Sequence, residues 1–75
     1  MCNIIFKDQL KVMSNDELLA KTKDRAVNVY IFGQNHSSIN ICFNDLLGFD
    51  ISKSSLLTRT GIKVELKNIN YIEIV

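Results

Sequence analysis

The chain has 75 residues, 47% of them apolar and 23% charged, and a net charge of +1. That length holds a single domain, 1–75, with one modest core, and the composition excludes a disordered chain and one whose bulk charge would by itself select or mimic nucleic acid. Cys2 and Cys42 are too few for a disulfide framework, and with no leader-like start and no membrane-length apolar run, a reducing, cytoplasmic setting is expected.

Residues 1–13, MCNIIFKDQLKVM, have two readings. Ile4 and Phe6, then Leu10 and Val12, form two short strands or extend a helix. The next stretch, MSNDELLAKTKDR, carries the clearest local signal in the chain. Ser14 and Glu17 make a capping box, in which each side chain meets an exposed backbone N–H of the first turn. Met13 and Leu18 stand at the positions of a hydrophobic staple. Asp16 and Glu17 lie early and Lys21, Lys23 and Arg25 late, which suits the helix dipole, and Glu17 and Lys21 form an i,i+4 pair. A helix is predicted over 14–24, with Leu18, Leu19 and Thr22 toward the core.

The periodicity then changes to two. VNVYIFG sets Val27, Val29 and Ile31 on one face of a strand, and Gly33-Gln34-Asn35 is a turn signal. SSINICF does the same with Ile39, Ile41 and Phe43, which makes Cys42 a small buried hydrophobe. Asn44 and Asp45 mark a bend, and Gly48 interrupts an apolar run at a bulge or close backbone approach. A polar SKSS follows, and Gly61 leads into the last two strands, 27–75 being β throughout. In TGIKVELKNINYIEIV, Ile62, Val64 and Leu66 alternate with charged residues, whereas Ile69, Tyr71, Ile72, Ile74 and Val75 are apolar on both faces. The fold class is α+β, mainly β: an N-terminal helix followed by a strongly bent, five-stranded antiparallel sheet or small barrel.

In layout, residues 15–75 resemble the Sm/LSm family, including its bacterial branch Hfq. FNDLLGFDI is similar to the first Sm motif, with Phe43, Leu47, Phe49 and Ile51 on its apolar positions, and VELKNINYIEI resembles the second through Val64, Leu66, Lys67, Asn68, Ile69 and Ile72. The chain departs from the motifs at Asn44, where the family has aspartate, at Gly48, where it has a base-reading asparagine, and at Ser38 and Asn68, where glycine is usual. The resemblance implies a homo-oligomeric ring that binds single-stranded RNA. The last strand, through Tyr71, Ile72 and Ile74, would pair with a neighbouring subunit. Lys67 and Asn68 would converge with Asn44, Asp45 and Leu47 on a pore-side pocket, with weak, poorly discriminating affinity for U- or A-rich strands. Without the resemblance, the same two-faced strand reads as a central strand of the chain's own sheet.

The residues suggest no enzyme and no cofactor. His36, the only histidine, lies in a polar turn without a spaced acid partner, and Cys2, Cys42, His36 and Asp45 lack metal-ligand spacing. Asp45 and Asp50 read as solvated loop acids rather than as paired carboxylates, and no glycine-rich phosphate loop is present. Binding of single-stranded RNA needs stacking groups and nearby cations. The strand aromatics Tyr30, Phe32, Phe43, Phe49 and Tyr71 and the cations Arg59, Lys63 and Lys67 are the candidates, set against a reading with the phenylalanines in the core. The alternative function is a small protein-interaction module, of the kind used as phage or plasmid inhibitors, acting on a protein target. No membrane partner is expected.

Overall fold

The computed structural model describes residues 3–33 and 38–75. Its elements run β1 (Asn3–Phe6), α1 (Lys7–Val12), α2 (Asn15–Thr22), β2 (Val27–Ile31), β3 (Ser38–Ile41), β4 (Leu46–Phe49), β5 (Ser55–Thr58), β6 (Lys63–Glu65), a 3-10 turn at Leu66–Asn68, and β7 (Ile69–Ile74). The fold is mainly β with two short helices. It is not one five-stranded barrel: the strands form a four-stranded sheet, β1-β7-β2-β3, and a three-stranded sheet, β4-β5-β6, both antiparallel. No helix among the described residues is long and apolar enough to cross a membrane.

The ambiguous start resolves into both of its readings. Ile4 and Phe6 lie in a strand, and Leu10 and Val12 in a helix. The switch comes at Phe6, whose backbone N–H donates to the Gln9 side chain at 3.0 Å. That bond satisfies one of the donors a helix start leaves over. The second helix begins where the capping pattern predicts, with one of the two bonds of the box: the Glu17 N–H donates to Ser14 Oγ at 3.1 Å, and the staple residues Met13 and Leu18 are both buried. It ends at Thr22, short of Asp24, which takes a left-handed φ of 57°. Leu18 and Thr22 face inward and Leu19 is half-buried; the Thr22 hydroxyl donates to the Leu18 carbonyl at 2.9 Å, so its burial strands no polar atom.

The core is aliphatic. One cluster joins Ile5 and Leu10, Leu18 of α2, Val27, Val29 and Ile41 of the four-stranded sheet, Leu56 and Val64 of the three-stranded sheet, and Ile69, Ile72 and Ile74 of β7. The register builds its floor directly. Ile5, Ile72, Val29 and Ile39 lie side by side across the four strands, and Ile74, Val27 and Ile41 form the next row. Each isoleucine or valine buried here contributes about 1.5–3 kcal/mol.

Three sequence readings are corrected. β7 lies between β1 and β2, hydrogen-bonded on both sides within the chain, so Tyr71, Ile72 and Ile74 offer no strand edge to another subunit. Ile72 and Ile74 are buried beneath the chain's own sheet. Phe43 is 62% exposed and Cys42 is exposed as well, because β3 ends at Ile41 and the chain turns before the alternation reaches them. The phenylalanines as a group are not core: Phe6 and Phe32 are also exposed, and only Phe49 packs partly against the core. His36, Cys2 and most of the Gly33-Gln34-Asn35 turn lie outside the described residues.

Gly48 has the role its position suggested. It sits at a register shift between β4 and β5 with φ 121°, a conformation that side chains rarely adopt, and a Cβ there would overlap the Asn15 side-chain amide. Asn15 Oδ1 needs that space to accept the Phe49 N–H at 2.9 Å, the bond that ties α2 to β4. Gly48→Ala is therefore expected to destabilise the fold by about 2–4 kcal/mol, whereas Gly33→Ala, with nothing within 4 Å of the added Cβ, changes stability by less than about 0.5 kcal/mol. Ser14→Ala, which loses only the cap, lies between them at about 1 kcal/mol. Urea denaturation midpoints of the three variants test this order.

Candidate nucleic-acid interface

Alternation along β7 decides what the outer face of the four-stranded sheet carries. With Ile72 and Ile74 turned inward, Tyr71 and Glu73 turn outward. The register places Phe6 opposite Tyr71 and Tyr71 opposite Tyr30, so that β1, β7 and β2 each contribute a ring to one row. Tyr30 and Tyr71 stack with centroids 4.6 Å apart and planes 22° apart, and Phe6 meets Tyr71 at 5.8 Å in a tilted arrangement. Such contacts are worth about 0.5–1.5 kcal/mol beyond area burial, enough to order the rings while leaving them at the surface. Phe6 is 56% and Phe32 53% exposed.

Cations adjoin the rings at one end. Lys7, which follows Phe6 as the chain enters α1, sets its Nζ 4.9 Å from the centre of the Phe32 ring. Phe32 is held there by its N–H, which donates to the Asn68 carbonyl at 2.9 Å. The 3-10 turn is thereby fixed against the end of β2. Lys67, on that turn, shares a shallow depression with Lys7, Lys11 and Lys53. Lys67 Nζ lies 3.3 Å from Glu65, with its own side chain 78% exposed. An exposed pair of this kind binds weakly and is screened by salt, so Lys67 is available to another anion.

Beside the aromatic row runs a polar one. Ile4, Glu73, Asn28 and Asn40 occupy successive strands in register. Asn40 Nδ2 donates to Asn28 Oδ1 at 2.7 Å, Asn28 Nδ2 donates to Glu73 Oε1 at 3.4 Å, and the Tyr30 hydroxyl donates to the same carboxylate oxygen at 3.5 Å.

The residues first expected to form a site are only partly brought together. Lys67 and Asn68 lie beside the Ser55 end of β5, where β6 closes. Asn44 and Asp45 lie at its Thr58 end, and one strand of this length separates the two groups by about 10 Å. They do not converge on a pocket. Asn44 and Asp45 instead staple a hairpin: Arg59 Nε donates to the Asn44 carbonyl at 3.0 Å, and Thr60 donates to the Asp45 carboxylate through its N–H at 3.2 Å and its hydroxyl at 2.9 Å. Leu47 is an exposed strand residue. Phe6, Lys7, Lys11 and Glu73 carry no site signal in the sequence, because their partners are distant along the chain. The only local trace was the outward alternation of Tyr71 and Glu73 with the isoleucines.

Comparison with protein-family models, curated proteins and solved structures finds no match, so function is read from the chemistry of the face itself.

Asp45 and Asp50 are not a carboxylate pair, since each is held by different donors, Asp45 by Thr60 across the hairpin and Asp50 by its own loop. Asp50 accepts from the Ser54 N–H at 2.8 Å, the Ser55 N–H at 3.2 Å, and the hydroxyls of Ser52 and Ser54 at 3.1 and 3.2 Å. Desolvation pushes its carboxyl up, but these donors, led by the Ser54 N–H, together outweigh that and hold it below its usual value. A depressed carboxyl stabilises the fold above its unfolded pKa, and that stabilisation is lost as pH falls through the folded value. The stability difference between the wild type and Asp50→Asn is thus expected to be full at pH 7 and to shrink below about pH 4. Urea titrations at a series of pH values check it, and a pH-independent difference would refute it.

Proposed function

We propose that the chain is a single-stranded RNA-binding domain that stacks bases against the outer face of its four-stranded sheet. The observation that carries the reading is the in-register row Phe6, Tyr71 and Tyr30, continued by Phe32 and bordered by Lys7, Lys11 and Lys67. Exposed rings cost hydrophobic stabilisation that a core position would have gained. A strand of unpaired bases covers such rings and brings phosphates toward the lysines. The near-zero net charge is compatible with this, because Lys7, Lys11, Lys53 and Lys67 share one depression at one end of the row. Both edges of β7 are paired within the chain, so a ring would not close through this strand, and the proposed site is built from one chain.

A second reading, docking to a protein target, draws on Phe43, Leu47 and Ile51, apolar residues exposed around β4. These lie apart from the aromatic row, and variants of the row discriminate the two readings.

In fluorescence anisotropy titrations with a labelled ten-nucleotide RNA of mixed sequence, Phe6→Ala and Phe32→Ala are each expected to weaken binding by about 1–3 kcal/mol, the worth of one stacked base. Lys67→Ala should weaken it for all sequences alike and lower the slope of log K against log salt by about 0.7. No wild-type binding at low salt would put the protein-docking reading ahead. Intact binding by both phenylalanine variants would show that the rings are not the platform.

A further inference from the structure

We infer that Glu73 makes this face prefer guanine over uracil; the inference rests on the stacking reading above and adds base identity to it. Tyr71 and Glu73 are two residues apart on β7, so their side chains leave the same face about 7 Å apart. That is the distance from the middle of a base stacked among the rings to a group that its edge can reach. The row beside the rings is therefore placed to read base edges, and its chemistry is one-sided.

Donors along the row all run toward the carboxylate. Asn40 donates to Asn28, and Asn28 and the Tyr30 hydroxyl donate to Glu73 Oε1, the last two at long distances of 3.4 and 3.5 Å. Among the described residues no group donates to Glu73 Oε2 and no cation pairs with the carboxylate. Its registered neighbour on β1 is Ile4, which is 45% exposed and offers no polar group. Glu73 thus keeps acceptor capacity at a partly exposed position, and a carboxylate is acceptor-only.

Bases differ in how they meet such a group. Guanine presents N1–H and the N2 amino group side by side, two parallel donors that a carboxylate accepts together. Adenine and cytosine present one amino group next to a bare ring nitrogen, whose lone pair the carboxylate repels. Uracil presents a single N3–H between two carbonyls, both repelled. The expected order is guanine first, adenine and cytosine between, and uracil last. This differs from the U- or A-rich preference that the family resemblance implies.

The test is anisotropy titration of four ten-nucleotide RNAs, (UG)5, (UA)5, (UC)5 and U10, at one low salt concentration, with wild type and Glu73→Gln. Thermal unfolding midpoints serve as the fold control. Wild type is expected to bind (UG)5 about tenfold more tightly than U10, the discrimination of one two-bonded contact. Glu73→Gln should bring the two within about twofold by opposite movements: (UG)5 weakens as the paired acceptor is lost, and U10 tightens as a negative charge near the phosphates disappears. A merely structural role would move every strand in one direction. Wild-type affinities within twofold for all four strands, or a tenfold preference that survives in Glu73→Gln, would overturn the guanine assignment and leave stacking intact. Failure to bind any strand would overturn the stacking reading itself. Should Glu73→Gln not fold, Glu73→Ala is titrated in its place with the same two outcomes, and a wild-type ranking without the guanine preference overturns the assignment by itself.

Discussion

The pairing of β7 on both of its edges is the constraint on which the rest of the structure depends. β1 lies along one side and β2 along the other, although these strands come from near the start and the middle of the chain. With this strand in the centre, the backbone groups of the apolar terminus are satisfied within the chain, and the hazard of an exposed apolar edge does not arise. The same pairing sets α1, which follows directly from β1, against β7 and the 3-10 turn, while α2 packs on β4. It also sets Ile69, Ile72 and Ile74 at the middle of the core, where their burial offsets the chain entropy that a small domain must overcome.

Strand periodicity turns that constraint into a division of labour. Every side chain that β7 sends inward is aliphatic, and the two it sends outward between Ile69 and Ile74 after the bulge are Tyr71 and Glu73. The inner face needs dense, rigid packing, which isoleucine, valine and leucine supply. No aromatic ring belongs to the buried core cluster, and the rings of Phe6, Tyr30, Phe32 and Tyr71 gather on the outside. A face of this composition, bordered by lysines at one end and by an acceptor-rich row at its side, is chemically asymmetric. Rings, lysines and the polar row occupy three adjacent zones rather than one mixed patch.

The three-stranded sheet supports this arrangement from below. Besides the shared core, Asn15 of α2 fills the space that Gly48 leaves and takes the Phe49 N–H, and within the sheet Asp50 gathers the donors of its own loop. The loops at its two ends are stapled by Asp45 and Asp50 separately. The acids that looked like candidates for chemistry are therefore committed to holding backbone, and the hairpin that carries Asn44 is turned away from the end that carries Lys67.

By itself the sequence determined what short-range physics controls. The cap at Ser14, the staple of Met13 and Leu18, and the inward alternation of Val27, Val29 and Ile41 all depend on neighbours a few residues away, and each was legible before the fold was known; Gly48 was legible as an interruption, but Asn15, the group that approaches it, is distant in sequence. The mainly β class followed from the same periodicities. Tertiary structure decided the rest. Whether the start of the chain was strand or helix depended on the presence of β7 to pair with Ile4 and Phe6. Whether the apolar terminus was covered by its own chain or by another depended on β1 and β2 reaching its two edges. The candidate site was hidden for the same reason: Lys67 was visible as a cation at a strand junction, but its closeness to Lys7 and Lys11 was not, and the row of Phe6, Tyr71 and Tyr30 exists only because register sets distant residues side by side. A one-residue shift in that register would send the rings inward and the isoleucines to solvent, so the energy of the buried face, summed over all four strands, is what places the outer one.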